Sequence, residues 1–225
     1  MLALVAAAVV AGAEPLWRQE FEGQVPGERP QSWGVGWGDS GDDLLLVSNL
    51  RAASGSRSWL LDRTAQNAVT MCGYSTRFVN VAAGWLNLSV SFLVQGKDLN
   101  VRLGLEVRGA NPGDRLVAVG LNGGAVSFST PDGKSTAALG EYDEDRWHRV
   151  RLWLPTAAGG QEYAVALLER RGRDGWEPAG PAGRIPARVP ASGYGTLMPC
   201  TWPGKRGYLL FLDDLTVDPA ERPPG

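Results

Sequence analysis

The sequence predicts an all-β fold, a two-sheet antiparallel jelly-roll sandwich. Three observations carry this. Apolar and polar residues alternate with a period of two over several segments. Turn-forming residues separate those segments at short intervals, and no segment sustains a helical period. The 30 Gly and 15 Pro of the 225 residues are scattered between apolar runs, the punctuation of a many-stranded chain and not of disorder. One large sandwich accounts for this length, and no repeat of roughly twenty to fifty residues marks a propeller or solenoid.

Residues 1–13, "MLALVAAAVVAGA", read as a secretory signal peptide: an apolar run too short to span a bilayer, ending in Ala11-Gly12-Ala13. No Lys or Arg precedes the run, and a buried first strand is the alternative. The expectation is an exported protein, secreted or at the cell surface, with its domain over residues 14–218 and a tail over 219–225. In "WLNLSVSFLV" Leu86, Leu88, Val90, Phe92 and Val94 share one face, and Asn87, Ser89 and Ser91 the other. "NVRLGLEVRG" sets Val101, Leu103, Leu105 and Val107 against Arg102, Glu106 and Arg108. Residues 115–133 read as two strands around Asn122-Gly123 followed by a Pro131-Asp132-Gly133 turn. "WHRVRLWLP" and "EYAVALLER" are two more strands, the second also compatible with a short helix. "PAGPAGRIPARVPASGYG" reads as a surface loop. In "GYLLFLDDLTVD", Tyr208 to Leu212 form a buried strand that Asp213 and Asp214 interrupt before Leu215 and Val217 resume it. Uncompensated carboxylates beside a core strand are costly, so these two need partners.

The net charge of −2 predicts neither a nucleic-acid nor a membrane-surface partner. No segment after residue 13 is apolar enough to cross a membrane. Cys72 and Cys200 are either two thiols or one disulfide, which would close a loop of roughly 130 residues, worth about 4–5 kcal/mol in chain-entropy terms. Neither has a C-x-x-C partner, which disfavours zinc. Asn87-Leu88-Ser89 is a glycosylation sequon within a predicted strand.

Three fragments, taken in order, carry a resemblance: "WRQEFEGQVPGERPQSW", "DEDRWHRVRLWLP" and "LLFLDDLTVD". Together, over roughly residues 17–218, they resemble the concanavalin-like, laminin-G-like jelly-roll superfamily, which includes bacterial carbohydrate-binding modules. The resemblance implies a structural calcium where the first and last strands meet, with Glu20, Glu22, Asp213 and Asp214 at the matching positions. Calcium takes six to eight oxygen ligands. The alternatives are that Asp213 or Asp214 pairs with Arg18 or caps a turn. Asp39, Asp42 and Asp43 form a second acidic cluster that lacks the spacing of a calcium loop and reads as a solvated turn.

Some relatives in this superfamily are glucanases with an E-x-D-x-E catalytic strand. Glu141, Asp143 and Asp145 stand at that spacing, but the last acid is one methylene short, Glu144 intrudes, and a turn before Trp147-His148 fits the segment better. His148, the single histidine, reads as structural, so no catalytic residue is assigned. A sugar-binding face needs exposed aromatic and polar side chains. Arg149, Arg151 and Trp153 share one face of their strand, and Arg102 and Glu106 one face of another. These five are expected to line a concave sheet as the ligand-binding residues, with Trp33, Trp37, Trp176 and Trp202 as loop candidates. The expected function is a non-catalytic carbohydrate-binding module with a polysaccharide or glycan partner. The alternatives are a carbohydrate-active hydrolase or lyase on the same fold, and an adhesive cell-surface domain that binds protein.

Overall fold

A computed structural model describes residues 16–31, 34–37, 45–62, 70–78, 83–96, 103–109, 115–189, 194–201, 208–220 and 222–223. Among the described residues sixteen strands follow one another: β1 (Trp17–Gln19), β2 (Gly34–Trp37), β3 (Leu45–Ser48), β4 (Ser58–Asp62), β5 (Thr70–Phe78), β6 (Trp85–Gln95), β7 (Leu103–Gly109) and β8 (Arg115–Asn122). The second half adds β9 (Ala125–Ser129), β10 (Thr136–Glu141), β11 (His148–Pro155), β12 (Tyr163–Arg171), β13 (Trp176–Pro178), β14 (Gly183–Pro186), β15 (Tyr194–Thr201) and β16 (Leu209–Ala220). They form two antiparallel sheets. The nine-stranded sheet runs β13-β12-β11-β6-β16-β4-β3, with β1 on β16 and β14 on β12. The seven-stranded sheet runs β10-β9-β8-β7-β15-β5-β2. The predicted all-β sandwich is what is found.

The core lies between the sheets and follows the alternation. From the nine-stranded sheet come Leu86, Leu88, Val90, Phe92 and Val94 of β6, Val150, Leu152 and Leu154 of β11, and Ala164, Ala166 and Leu168 of β12. From the seven-stranded sheet come Val107, Val117, Val119, Leu121, Val126, Phe128 and Leu139. Each large apolar side chain so buried contributes about 1.5–3 kcal/mol. Tyr194 crosses the core, its hydroxyl donating to the Pro155 carbonyl at 2.6 Å and tying β15 to β11. The β8–β9 hairpin turns on Gly123 and Gly124, at φ of 56° and 90°, where a side chain would be strained.

The strand reading of residues 163–171 holds, whereas two other segments differ from the sequence reading. Residues 163–171 are strand, because both faces are buried: Ala164, Ala166 and Leu168 enter the core while Val165 and Leu167 pack with Trp85 and Trp153 on the outward face. Within the expected loop, Gly183–Pro186 pairs as β14 with β12, burying Gly183 and Ile185 alternately. Pro186 is tolerated there at a short strand's end. The closing strand runs two residues past the expected boundary at 218, with Pro219 opposite Leu86 and Ala220 opposite Trp85.

Cys72 lies on β5 and Cys200 on β15, neighbouring strands of the seven-stranded sheet, with Cys200 opposite Met71. The sequon is closed: Asn87 is buried, donating to the Leu152 carbonyl and accepting from Arg151.

Candidate functional site

The paired acids of the closing strand sit on a β-bulge. Leu210, Leu212, Leu215 and Val217 are all in the core, so one interval along β16 is three residues rather than two. The register with β6 shifts between Asp213 and Thr216, and Asp214 takes a φ of 49°. The extra residue lets both carboxylates leave the core and reach one loop, residues 53–57. Asp213 Oδ2 accepts the backbone N–H of Ala53 at 2.8 Å and of Ser54 at 3.2 Å, and its Oδ1 accepts that of Asp214 at 2.8 Å. Ser54 Oγ donates to Asp214. From the other end of the chain Glu22 accepts from Ser56 N, Ser56 Oγ and Arg57 N at 2.7–2.9 Å. Burial, reinforced by the neighbouring Asp214 charge, pushes Asp213 up to about 6 despite its three backbone donors. Glu22 is held below the usual range by the Ser56 backbone N–H first and the Ser56 hydroxyl next.

This arrangement does not fit calcium. N–H and O–H donors point at the oxygens that a cation would need. Glu20 is turned away, paired with Arg18 at 2.6 Å. Among the described residues no group of three or more acids, His or Cys is set for a metal. The acids cap a loop, the second of the alternatives open to them. Asp39, Asp42 and Asp43 lie outside the described residues.

The groups that ordinarily do acid–base chemistry are mostly in the core. His148 is buried, stacked on Phe92 at 5.5 Å, with Nδ1 at 3.0 Å from the Arg146 carbonyl and Nε2 at 3.4 Å from the Asp143 N–H. Burial pushes it below the usual histidine range, so it is neutral and doubly engaged. Tyr142, Tyr194 and Tyr208 belong to the core cluster, and burial raises the first two. Glu141 ends β10, while Asp143 and Asp145 fall in the following turn, Asp145 at a φ of 60°. The three acids therefore do not share a strand face, as the turn reading expected.

Of the five predicted ligand-binding residues, the four that are described do not form one surface. Arg149, Arg151 and Trp153 stand on β11, in the nine-stranded sheet, whereas Glu106 stands on β7, in the seven-stranded sheet. Arg102 lies outside the described residues, as do Trp33 and Trp202. Trp153 is only 2% exposed, beneath the Arg151 guanidinium at 4.6 Å, and cannot stack on a sugar. Arg149 Nε bonds Glu169 Oε2 at 2.6 Å while its guanidinium lies over Trp176 at 4.7 Å.

The outward face of the seven-stranded sheet carries a different set. Val107 is in the core, so its neighbours Glu106 and Arg108 belong to the opposite face. Register sets Glu106 between Ala118 of β8 and Met198 of β15. The register with β8 shifts after Val107, passing over Leu116, and so sets Arg108 opposite Arg115; on β15, next to a second shift, Arg108 is opposite Thr196. The positions around them are small: Ala118 faces Ser129, and Gly120 faces Ser127. A Cβ at Gly120 would come within 3.1 Å of Ser127 Oγ. Paired strands lie about 4.8 Å apart, and like charges set directly opposite cost rather than stabilise. Arg115 was missed in the sequence because nothing local says which strand β7 pairs with; pairing creates the arginine pair.

No protein-family model matches the chain, and no curated protein sequence matches it. Its fold is shared along most of its length with solved structures. The endo-β-1,4-glucuronan lyase of the fungus Trichoderma reesei superposes with a TM-score of 0.61 at 10% identity, over 92% of this chain and 96% of that one. The PL-14 alginate lyase of Aplysia kurodai gives 0.60 at 11% identity, over 92% and 100%. The catalytic domain of a glycoside hydrolase family 131 protein from Coprinopsis cinerea gives 0.59 at 12%, over 92% and 94%. At such identity the likeness is one of fold. It nevertheless corrects the non-catalytic expectation: this fold, at this extent, is that of entire lyases and a hydrolase catalytic domain, not of an appended binding module alone.

Proposed function

We propose that the protein is a carbohydrate-active enzyme that cleaves an acidic polysaccharide across the outward face of the seven-stranded sheet, by elimination. The observation that carries this is the register-paired Arg108 and Arg115 with Glu106 two residues along the same face. Arginines at two register-paired positions offer the charge and the paired donors that a uronate carboxylate takes. Drawing that charge into the arginines acidifies the proton on the neighbouring ring carbon, C5. A base takes the proton, its electron pair forms the C4=C5 double bond, the C4–O bond to the next sugar breaks, and the leaving oxygen is protonated. No water is consumed. Glu106 is assigned the proton abstraction.

Hydrolysis is the lesser reading. Glycosidases pair carboxylates about 5–9.5 Å apart. Glu106 and Glu141 stand three strands apart in the order β10-β9-β8-β7, and four residues apart in register, by way of Asn122 and Ala118 on β8. At about 4.8 Å per strand and 3.3 Å per residue their separation is roughly 20 Å. Glucuronan and alginate, named for the two lyases of similar fold, are the first polymers to try.

The test is incubation with glucuronan, alginate and a neutral β-glucan, following ultraviolet absorbance of the unsaturated product and new reducing ends together. Elimination gives both signals, on an acidic polymer only. Reducing ends without absorbance would mean hydrolysis, and neither signal on any polymer would overturn the reading.

A further inference from the structure

The net charge of −2 conceals a segregated charge. Residues 146–189 contain Arg146, Arg149, Arg151, Arg170, Arg171, Arg173, Arg184 and Arg188 against Glu162, Glu169, Asp174 and Glu177, eight charges minus four. They build β11 to β14, which lie together at one edge of the nine-stranded sheet. Register collects four of these arginines on the outward face. Arg149 pairs with Glu169, Arg151 with Leu167, Arg171 with Trp176, and Arg184 with Val165. Val165 and Leu167 belong to the outward cluster with Trp153, which fixes the side.

All four guanidinium groups rest on rings, and among the described residues only Arg149 also pairs with an acid. Arg149 and Arg171 lie over Trp176 at 4.7 and 5.3 Å, Arg151 over Trp153 at 4.6 Å, and Arg184 over Tyr163 at 3.3 Å. Among the described residues Glu169 is the one carboxylate within ion-pair distance of any of them, and it takes Arg149. Arg151, half-buried, has one side-chain hydrogen bond, to Asn87 at 3.5 Å. A guanidinium offers five donors in a planar fork, and stacking on a ring uses none of them. Ring contact also removes the side-chain freedom that binding would otherwise have to freeze. Apart from Arg149 Nε and one Nη of Arg151, the donors of this ring-oriented set have no acceptor among the described residues, and positive charge is in excess.

We infer that this edge of the nine-stranded sheet is a second polysaccharide site, an arginine–aromatic platform that takes the carboxylates of an acidic glycan. It lies on the sheet opposite to the proposed reaction face, so it holds polymer without cleaving it. The choice of a polyuronate among polyanions rests on the function proposed above; the platform itself does not. Trp153 serves as the bed for Arg151, in place of the sugar platform expected of it.

The experiment measures binding of alginate to the full chain by affinity electrophoresis, for wild type, the exposed pair Arg171→Ala with Arg184→Ala, and the same pair changed to Lys. Both positions are exposed, so folding is retained, and circular dichroism checks it. Alginate affinity should fall about tenfold in the Ala pair and stay reduced in the Lys pair, which keeps charge but loses the fork. A neutral β-glucan should bind neither wild type nor variant. Cleavage of a short uronate oligosaccharide should be unchanged in both variants. Unchanged alginate affinity in the Ala pair overturns the platform. Equal binding of the neutral glucan, or of duplex DNA at matched charge, overturns its carboxylate class. If no polymer is cleaved but the Ala pair still loses alginate, the platform stands and the proposed reaction falls.

Discussion

Asp213→Asn tests the clasp on the closing strand. The native carboxyl titrates near 6, against an ordinary value of 3.8. The gap of about 2 units corresponds to about 3 kcal/mol of linked stability. The native state binds the proton more tightly than the unfolded chain, so the stabilisation from this proton is complete below about pH 3.8. It is lost as pH rises through 6, and stability from this group then levels off. Asparagine cannot titrate. The cost of the substitution, measured by urea unfolding at pH 4, 5, 6 and 7, should therefore shrink by about 2.4 kcal/mol between pH 4 and pH 7, most of the full linkage. All other titrating groups cancel in the difference. At pH 4 the variant should be the less stable, because its amide nitrogen meets a backbone N–H that Asp213 now accepts; such a loss is about 1–3 kcal/mol. A difference that does not change across this range would refute the claim that Asp213 is a desolvated acid spent on the loop.

Glu22→Gln should cost about 1 kcal/mol at neutral pH, less than its hydrogen-bond count implies because Glu22 is exposed. Its lowered titration works in the opposite sense to Asp213: its contribution is present above the ordinary 4.5 and fades as pH falls. Tyr194→Phe should cost about 1–2 kcal/mol in denaturant unfolding, since it leaves the Pro155 carbonyl without its donor inside the core. His148→Gln should lower stability and leave the rate per folded molecule on an acidic polysaccharide unchanged; a rate loss exceeding the loss of folded protein would place His148 in the chemistry.

The alternation in "WLNLSVSFLV" and "WHRVRLWLP" was enough to name both faces of β6 and β11, because a period of two needs no tertiary information. The bulge at Asp213 and Asp214 was visible as an anomaly, two acids in an apolar run, but the loop they hold is some 160 residues earlier in the chain. No local pattern names such a partner. β14 looks like loop in the sequence because its prolines and glycines outweigh a four-residue pairing. The binding face is illegible for a related reason: Arg149 and Glu106 occupy equivalent positions on their own strands, yet pairing assigns those strands to different sheets. Arg108 and Arg115 become neighbours only through the same pairing. Trp153 shows the limit of residue type, since an outward aromatic in a strand can still be buried beneath an arginine.

The central claim is that Arg108 and Arg115 hold a uronate on the outward face of the seven-stranded sheet. Its most direct test is the formation of unsaturated product from an acidic polysaccharide by wild type and by Arg108→Ala, with circular dichroism to confirm the fold. Loss of one carboxylate-binding fork should lower turnover about a hundredfold or more, with no effect on alginate retention at the opposite sheet. Undiminished product formation by folded Arg108→Ala would contradict the account.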